Sequence, residues 1–186
     1  MRLLATDAWT ALAGGIALAY PFVVWFGLSS LPPSAFVLLA LVCVAARMIG
    51  IRRLSRSSVE LVAFALAGAG LVALLMIAPS LAARTYPVAI SLALAAVFTI
   101  SLHFPPTIVE RIARLSEPDL PPAGIAYTRR VTQVWVAFLL INAVISLWTA
   151  VYGSLAQWTL WNGLLSYIAM GCLFAIEFLI RRMVRR

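Results

Sequence analysis

The densest polar chemistry of this chain lies in YTRRVTQVWVAFLLIN, Tyr127 to Asn142, where Arg129 and Arg130 stand with Thr128, Thr132 and Gln133 at the mouth of an apolar run. A guanidinium fork pairs two oxygens of a phosphate or carboxylate and never loses its charge. Arg129, Arg130, Thr132 and Gln133 therefore form a candidate anion site. A lipid headgroup, a phosphopantetheine phosphate or an acyl carboxylate would each suit it. The plainer alternative is that both arginines snorkel to a membrane interface and set topology. Further along, Asn142, Ser146 and Thr149 recur at helical spacing, as do Asn162 and Ser166. In hydrocarbon such groups turn inward and bond across helices, contributing ~0.6 kcal/mol each. Interhelical bonding is thus expected before a substrate path. Glu177 is the one acid inside an apolar stretch and precedes Arg181 by four residues, the favourable order for a helical ion pair. A proton site, or a partner for Arg129 or Arg130, is its alternative role.

Other chemistry is missing by motif. No zinc spacing, nucleotide loop or nucleophile signature occurs, so no catalytic residue, metal or cofactor is expected. His103 is followed by FPPTIVE, which puts Ile108 where a histidine-four-residues-aspartate acyltransferase needs its acid. An interfacial histidine with a satisfied ring is expected instead. Cys43 and Cys172 fall in apolar stretches and read as small buried hydrophobes.

These residues need a frame, and composition names it. The 186 residues are 64% hydrophobic and 11% charged, with a mean hydropathy of +1.04, whereas soluble domains are about 45–50% apolar. The chain is expected to be an all-α integral membrane protein, one domain over residues 1–186, with six spans of about 20 residues each. Span one covers Ala8 to Gly27, opened by Thr6 and Asp7 as caps, flanked by Trp9 and Trp25, with Ala11, Gly15 and Ala19 as a close-packing stripe and a kink at Pro21. Span two covers Ser34 to Arg47, counted on to Ile51. Span three runs from Ser57 to Ile77, with a Ser57/Glu60 capping box and a stripe of Ala65, Ala69 and Ala73. Span four is expected over Pro87 to Leu102, after the loop APSLAARTYP. Span five covers Val131 to Tyr152, with Trp135 and Trp148 near its ends. After the uncharged turn GSLAQW, span six covers Thr159 to Ile180.

Between spans four and five, residues 105–130 carry a capping box at Thr107 and Glu110. They also carry a short amphipathic surface helix, Ile108, Val109, Ile112 and Leu115 on one face and Glu110, Arg111 and Arg114 on the other. The run SEPDLPPAG is expected to be an extended linker.

The net charge of +8 comes from fourteen arginines, no lysine and six acids. With alternating spans, thirteen arginines fall on one side and Arg84 alone on the other. The positive-inside rule then puts both termini in the cytoplasm, and the basic balance is a topology signal with no nucleic acid implied.

The segment YPVAISLALAAVFTISL, PPTIVERIARL, EPDLPPAGIAYTRRVTQVW, Asn142 and WNGLLSYIAMGCLFAIEFLIRR resembles an uncharacterised bacterial inner-membrane family associated with gene clusters for aryl-polyene and xanthomonadin-type pigments. More distantly, it is similar to intracellular septation protein A. The resemblance implies a Gram-negative inner membrane and a role near acyl-chain or envelope-lipid synthesis, and implies no catalytic residues. The expected function is a non-enzymatic accessory protein whose arginine-rich cytoplasmic face engages membrane lipids, acyl carrier proteins or acyl-CoA-ligase-like enzymes. The alternative is a carrier or flippase for an acyl lipid or small amphipathic molecule, using Arg129, Arg130, Asn142 and Asn162.

Overall fold

A computed structural model describes residues 20–27, 30–54 and 58–184, without the side chains of 46–54, 58–60, 183 and 184. The expectations for Thr6, Asp7, Trp9, the Ala11/Gly15/Ala19 stripe, Ser57, Arg56, Arg185 and Arg186 lie outside the described residues, as do those for the side chains of Arg52, Arg53 and Glu60.

Among the described residues the fold is all-helical. A helical segment, α1 (20–27), precedes α2 (Pro33–Leu54), α3 (Ser58–Ile77), α4 (Pro79–His103), α5 (Ile108–Arg114), α6 (Pro122–Val151) and α7 (Leu155–Leu160). A five-residue π-helical turn, Trp161–Leu165, then joins α7 to α8 (Ser166–Val184). Among the described residues three helices are long and apolar enough to cross a membrane: Pro79–His103, Pro122–Val151 and the continuous Leu155–Arg182. Shorter apolar stretches lie in α2 (Pro33–Ala45) and α3 (Leu61–Ile77). The chain is a membrane protein.

The organising helix is α4, which packs on α6, α3 and α2. It begins eight residues earlier than the sequence reading expects, at Pro79 in place of Pro87. Ala78 alone separates it from α3: its φ of −144° and ψ of 77° lie outside the helical region, which a following proline disfavours, and Pro79 at the first helical position lacks only an amide that would go unused there. Pro87 lies inside α4. A proline there leaves the carbonyl four residues back, Ala83 O, without its helical donor, and crowds the turn that precedes it. One distant side chain supplies the missing donor, and a second binds the adjacent carbonyl. The Tyr20 hydroxyl donates to Ala83 O at 2.7 Å, and the Trp158 indole N–H donates to Arg84 O at 2.9 Å. Both side chains are fully buried, so the interruption that would end a helix in water is stabilised by α1 and α7 in the bundle.

On α3 the inward residues are Phe64, Gly68 and Leu71, while Ala65, Ala69 and Ala73 are exposed. The expected alanine stripe thus points away from the bundle. Large side chains on the opposite face bury more apolar surface against α2 and α4, and this decides the rotation of the helix. Cys43 is buried but Cys172 is exposed, a correction for the second cysteine.

Span six also starts early. Ser154 accepts from Gln157 N (3.2 Å) and Gln157 Oε1 accepts from Ser154 N (2.8 Å), a complete capping box. The supposed turn residues from Leu155 onward are therefore helical. Likewise α6 starts at Pro122, nine residues before Val131, with Pro121 as its cap. Its 30 residues extend ~45 Å, more than the ~30 Å of a hydrocarbon core, so its first turns project beyond the apolar layer.

Candidate functional site

Among the described residues, Arg111, Arg114, Arg129, Arg130, Arg181 and Arg182 gather at the end formed by the C-termini of α4 and α8, the N-terminus of α6, and α5. Much of this charge is tied to backbone. Arg111 Nε donates to Pro106 O (2.9 Å), and Arg114 Nη1 to Pro118 O (2.9 Å). Arg129 Nη1 donates to Leu102 O (2.8 Å), one of the unsatisfied carbonyls in the last turn of α4, where a cation also complements the helix dipole. His103 Nδ1 lies 3.0 Å from Thr99 O.

In α5, Thr107 caps the helix by accepting from Glu110 N. The Glu110 carboxylate takes two N–H groups of Arg114 at 2.8 and 2.9 Å. Glu110 is 5% exposed, whereas Ile112 and Leu115 are 50% and 77% exposed. Glu110 departs from the polar face expected of it: Ile108 packs into the core, the acid is buried with its own cation, and Ile112 and Leu115 point outward. A paired carboxylate tolerates that position, and an outward Ile112 and Leu115 suit a helix lying against an apolar layer.

The four residues of the expected anion site are not brought together. Thr132 is fully buried and donates to Thr128 O (2.8 Å), while Arg129, Arg130 and Gln133 lie on the exposed side of α6. Thr132 faces the bundle; the two arginines and Gln133 do not.

A different pocket lies at this end. About 550 Å³ is enclosed between α5, residues 116–121, α6 and α8, with walls that include Ala113, Leu120, Ala123 and Phe178, and with Glu117 and Arg181 at the polar edge. Glu177 pairs with Arg181 at 2.9 Å, as their spacing predicts, and its Oε1 accepts from the Tyr127 hydroxyl at 3.5 Å. This contact joins α6 to α8.

The intramembrane polar residues do converge. Asn142 Nδ2 donates to Ser91 Oγ (3.0 Å), and the Trp161 indole donates to Asn142 Oδ1 (3.2 Å). An indole N–H can only donate, which fixes the orientation of this amide. Ser146 donates to Asn162 Oδ1 (2.7 Å), and Asn162 Nδ2 donates to Trp158 O (2.9 Å). Asn162 belongs to the π-helical turn, so this network pins α6 to α4 and to the irregular part of the last span. Beside it, a cavity of about 370 Å³ opens between α1, α4, α6 and α8. Trp135 lines it, its ring tilted against those of Phe174 at 4.6 Å and Phe98 at 6.5 Å. Trp135 is buried against its neighbours, whereas Trp148, near the other end of the span, is 56% exposed.

Arg129 and Arg130 are separated from Asn142 by twelve or thirteen residues of α6, ~20 Å of helix, so arginines and asparagines do not share one site. Tyr20, Ser91, Trp158 and Trp161 escaped the sequence reading. A usable signal existed for two of them: a proline inside an apolar run frees carbonyls that must find donors elsewhere. Among the described residues no group of three or more His, Cys, Asp or Glu could hold a metal ion. No protein-family model, curated protein or solved structure matches the chain.

Proposed function

We propose that the protein is a six-span bacterial inner-membrane component with both termini cytoplasmic, assisting acyl-chain or envelope-lipid synthesis of the aryl-polyene type by engaging acyl-bearing partners at its arginine-rich face. Six spans are supported by α2 and α3, whose 22 and 20 residues correspond to ~33 and ~30 Å, and by α1 as the end of a preceding span. The collection of arginines at one end, against Arg84 at the other, supports the orientation.

The observation that carries the functional reading is the 550 Å³ pocket at that end. Its walls are mostly apolar and its surroundings are cationic: Arg130 and Arg182 are exposed and Arg181 reaches its edge. An acidic carrier protein presenting an acyl chain would meet both features. The arginines would steer the carrier and the pocket would take the chain.

The test is the affinity of the purified protein for an acyl carrier protein with and without an octanoyl chain. The loaded form should bind about tenfold more tightly, since burying a few methylenes at ~0.8 kcal/mol each exceeds the ~1.4 kcal/mol that a factor of ten requires. An Arg130→Ala, Arg182→Ala variant should weaken both forms. Equal affinity for loaded and unloaded carrier, or no effect of the double substitution, would remove the docking reading. The second reading, a carrier for a small amphipathic molecule, is favoured by the cavity beside Asn142.

A further inference from the structure

We infer that the cavity between α1, α4, α6 and α8 is a binding site for a neutral, flat ring bearing a hydrogen-bond-accepting oxygen, a quinone-like or aryl-ketone group that enters from the bilayer. The inference deepens the carrier reading by naming a ligand class, and is independent of the docking reading.

Three observations converge. The first is position. All three membrane-length helices contribute to the walls. Asn142 lies about ten residues from the end of α6, ~15 Å of helix, near the middle of a ~30 Å hydrocarbon layer. At 370 Å³ the space falls within the ~300–1,000 Å³ range of small-molecule sites.

The second is backbone. Pro87 lines the cavity from α4, and Asn162 lines it from the π-helical turn. Broken helical ladders at membrane depth persist where they border a cavity, and π-turns recur at functional sites. Here both irregularities of the described spans face one space. The chain also spends Tyr20 and Trp158 on stabilising one of them.

The third is the chemistry of the walls. Phe98, Trp135 and Phe174 form an aromatic side, suited to stacking against a planar ring. Among the described lining residues no side chain is charged, so a carboxylate, phosphate or ammonium would find no counter-ion among them. Polar capacity remains at Ser91 and Asn142. Ser91 accepts from Asn142 and still carries its own hydroxyl proton, while the Asn142 amide has a second N–H. Both are donors, which calls for an acceptor oxygen on the ligand. The amide of Asn162, engaged with Ser146 and with Trp158 O, fixes the wall behind them.

The probe is menadione, a neutral naphthoquinone, in equilibrium dialysis against the purified protein in detergent, with protein-free micelles as the reference. The expected result is saturable uptake approaching one molecule per chain. Leu94→Trp, which adds a ring inside the cavity without touching its hydrogen bonds, should weaken uptake at least tenfold. Ser91→Ala should weaken it a few-fold while leaving the stoichiometry unchanged. Circular dichroism and gel filtration confirm that each variant is folded, and the smaller Ser91→Ala change decides the matter if Leu94→Trp does not fold. Uptake no greater than that of empty micelles, or equal uptake by wild type and Ser91→Ala, overturns the site. Hexadecane displacing menadione as well as unlabelled menadione does overturns the assignment to a ring and gives the cavity to hydrocarbon chains.

Discussion

Substituting Tyr20 by Phe removes one oxygen from a fully buried ring and leaves no void, so any loss of stability reports the hydroxyl. That hydroxyl donates at 2.7 Å to Ala83 O, the acceptor that Pro87 cannot serve because it has no N–H. A second carbonyl, Phe36 O, lies 3.3 Å away, a longer and weaker contact. Leaving a buried carbonyl without a donor costs about 1–3 kcal/mol, and single hydrogen bonds in membrane bundles average nearer ~0.6 kcal/mol. Because Ala83 is fully buried, the expected loss for Tyr20→Phe is ~1–2 kcal/mol. The control is the same substitution made on Pro87→Ala, where residue 87 regains an amide for Ala83 O. In that background Tyr20→Phe should cost less than ~0.5 kcal/mol, a coupling that a double-mutant cycle isolates. The assay is reversible unfolding in mixed micelles followed by far-ultraviolet circular dichroism. Equal losses in both backgrounds would refute the reasoning and would mean that Tyr20 acts through its ring, packed 4.5 Å from that of Tyr86.

Other substitutions test neighbouring steps of the argument. Ser154→Ala should lower stability by ~1 kcal/mol through loss of the capping box, and hydrogen exchange should rise at the start of α7. Gly153→Ala would bring a Cβ to 2.6 Å from Thr149 O, while a Cβ at Gly171 meets nothing within 4 Å. Gly153→Ala should therefore destabilise in the same unfolding assay, and Gly171→Ala should be neutral or stabilise by up to ~1 kcal/mol from helix propensity. Glu110→Gln breaks the pairing with Arg114 at a carboxylate whose side chain is 6% exposed. It should loosen α5 and speed proteolysis between residues 104 and 121, with global unfolding little changed.

Much of the frame was legible because hydropathy and charge are properties of segments. The extents of α2 and α3, the C-terminal end of α4 and the existence of α5 follow from apolar run length, His103 followed by prolines, and the Thr107 cap. What failed depended on partners that a single chain segment does not reveal. Pro87 reads as a helix start until Tyr20, more than sixty residues away, supplies the donor that Ala83 O lacks. Glu110 reads as part of the polar face of α5, with Arg111 and Arg114, until its pairing with Arg114 lets the acid turn inward. Arg129 reads as half of an anion fork, yet it caps Leu102 O. The Ser154-x-x-Gln157 box was visible in sequence and was obscured only by the lack of charge around it. For Asn142 and Asn162, helical spacing shows that they share an inward face, whereas Ser91 and Trp161 as partners of Asn142 emerge only from the packing.

The connections at the two ends of the bundle are very unequal. Away from the arginines, the described chain turns within residues 30–32, at Ala78 alone and within 152–154, and offers a water-soluble molecule or a protease hardly any backbone to grip. At the other end the described chain places an entire helix, a proline-rich strap and the first turns of α6. On the orientation proposed above this is the cytoplasmic end, and it offers soluble macromolecules far more backbone than the described turns opposite.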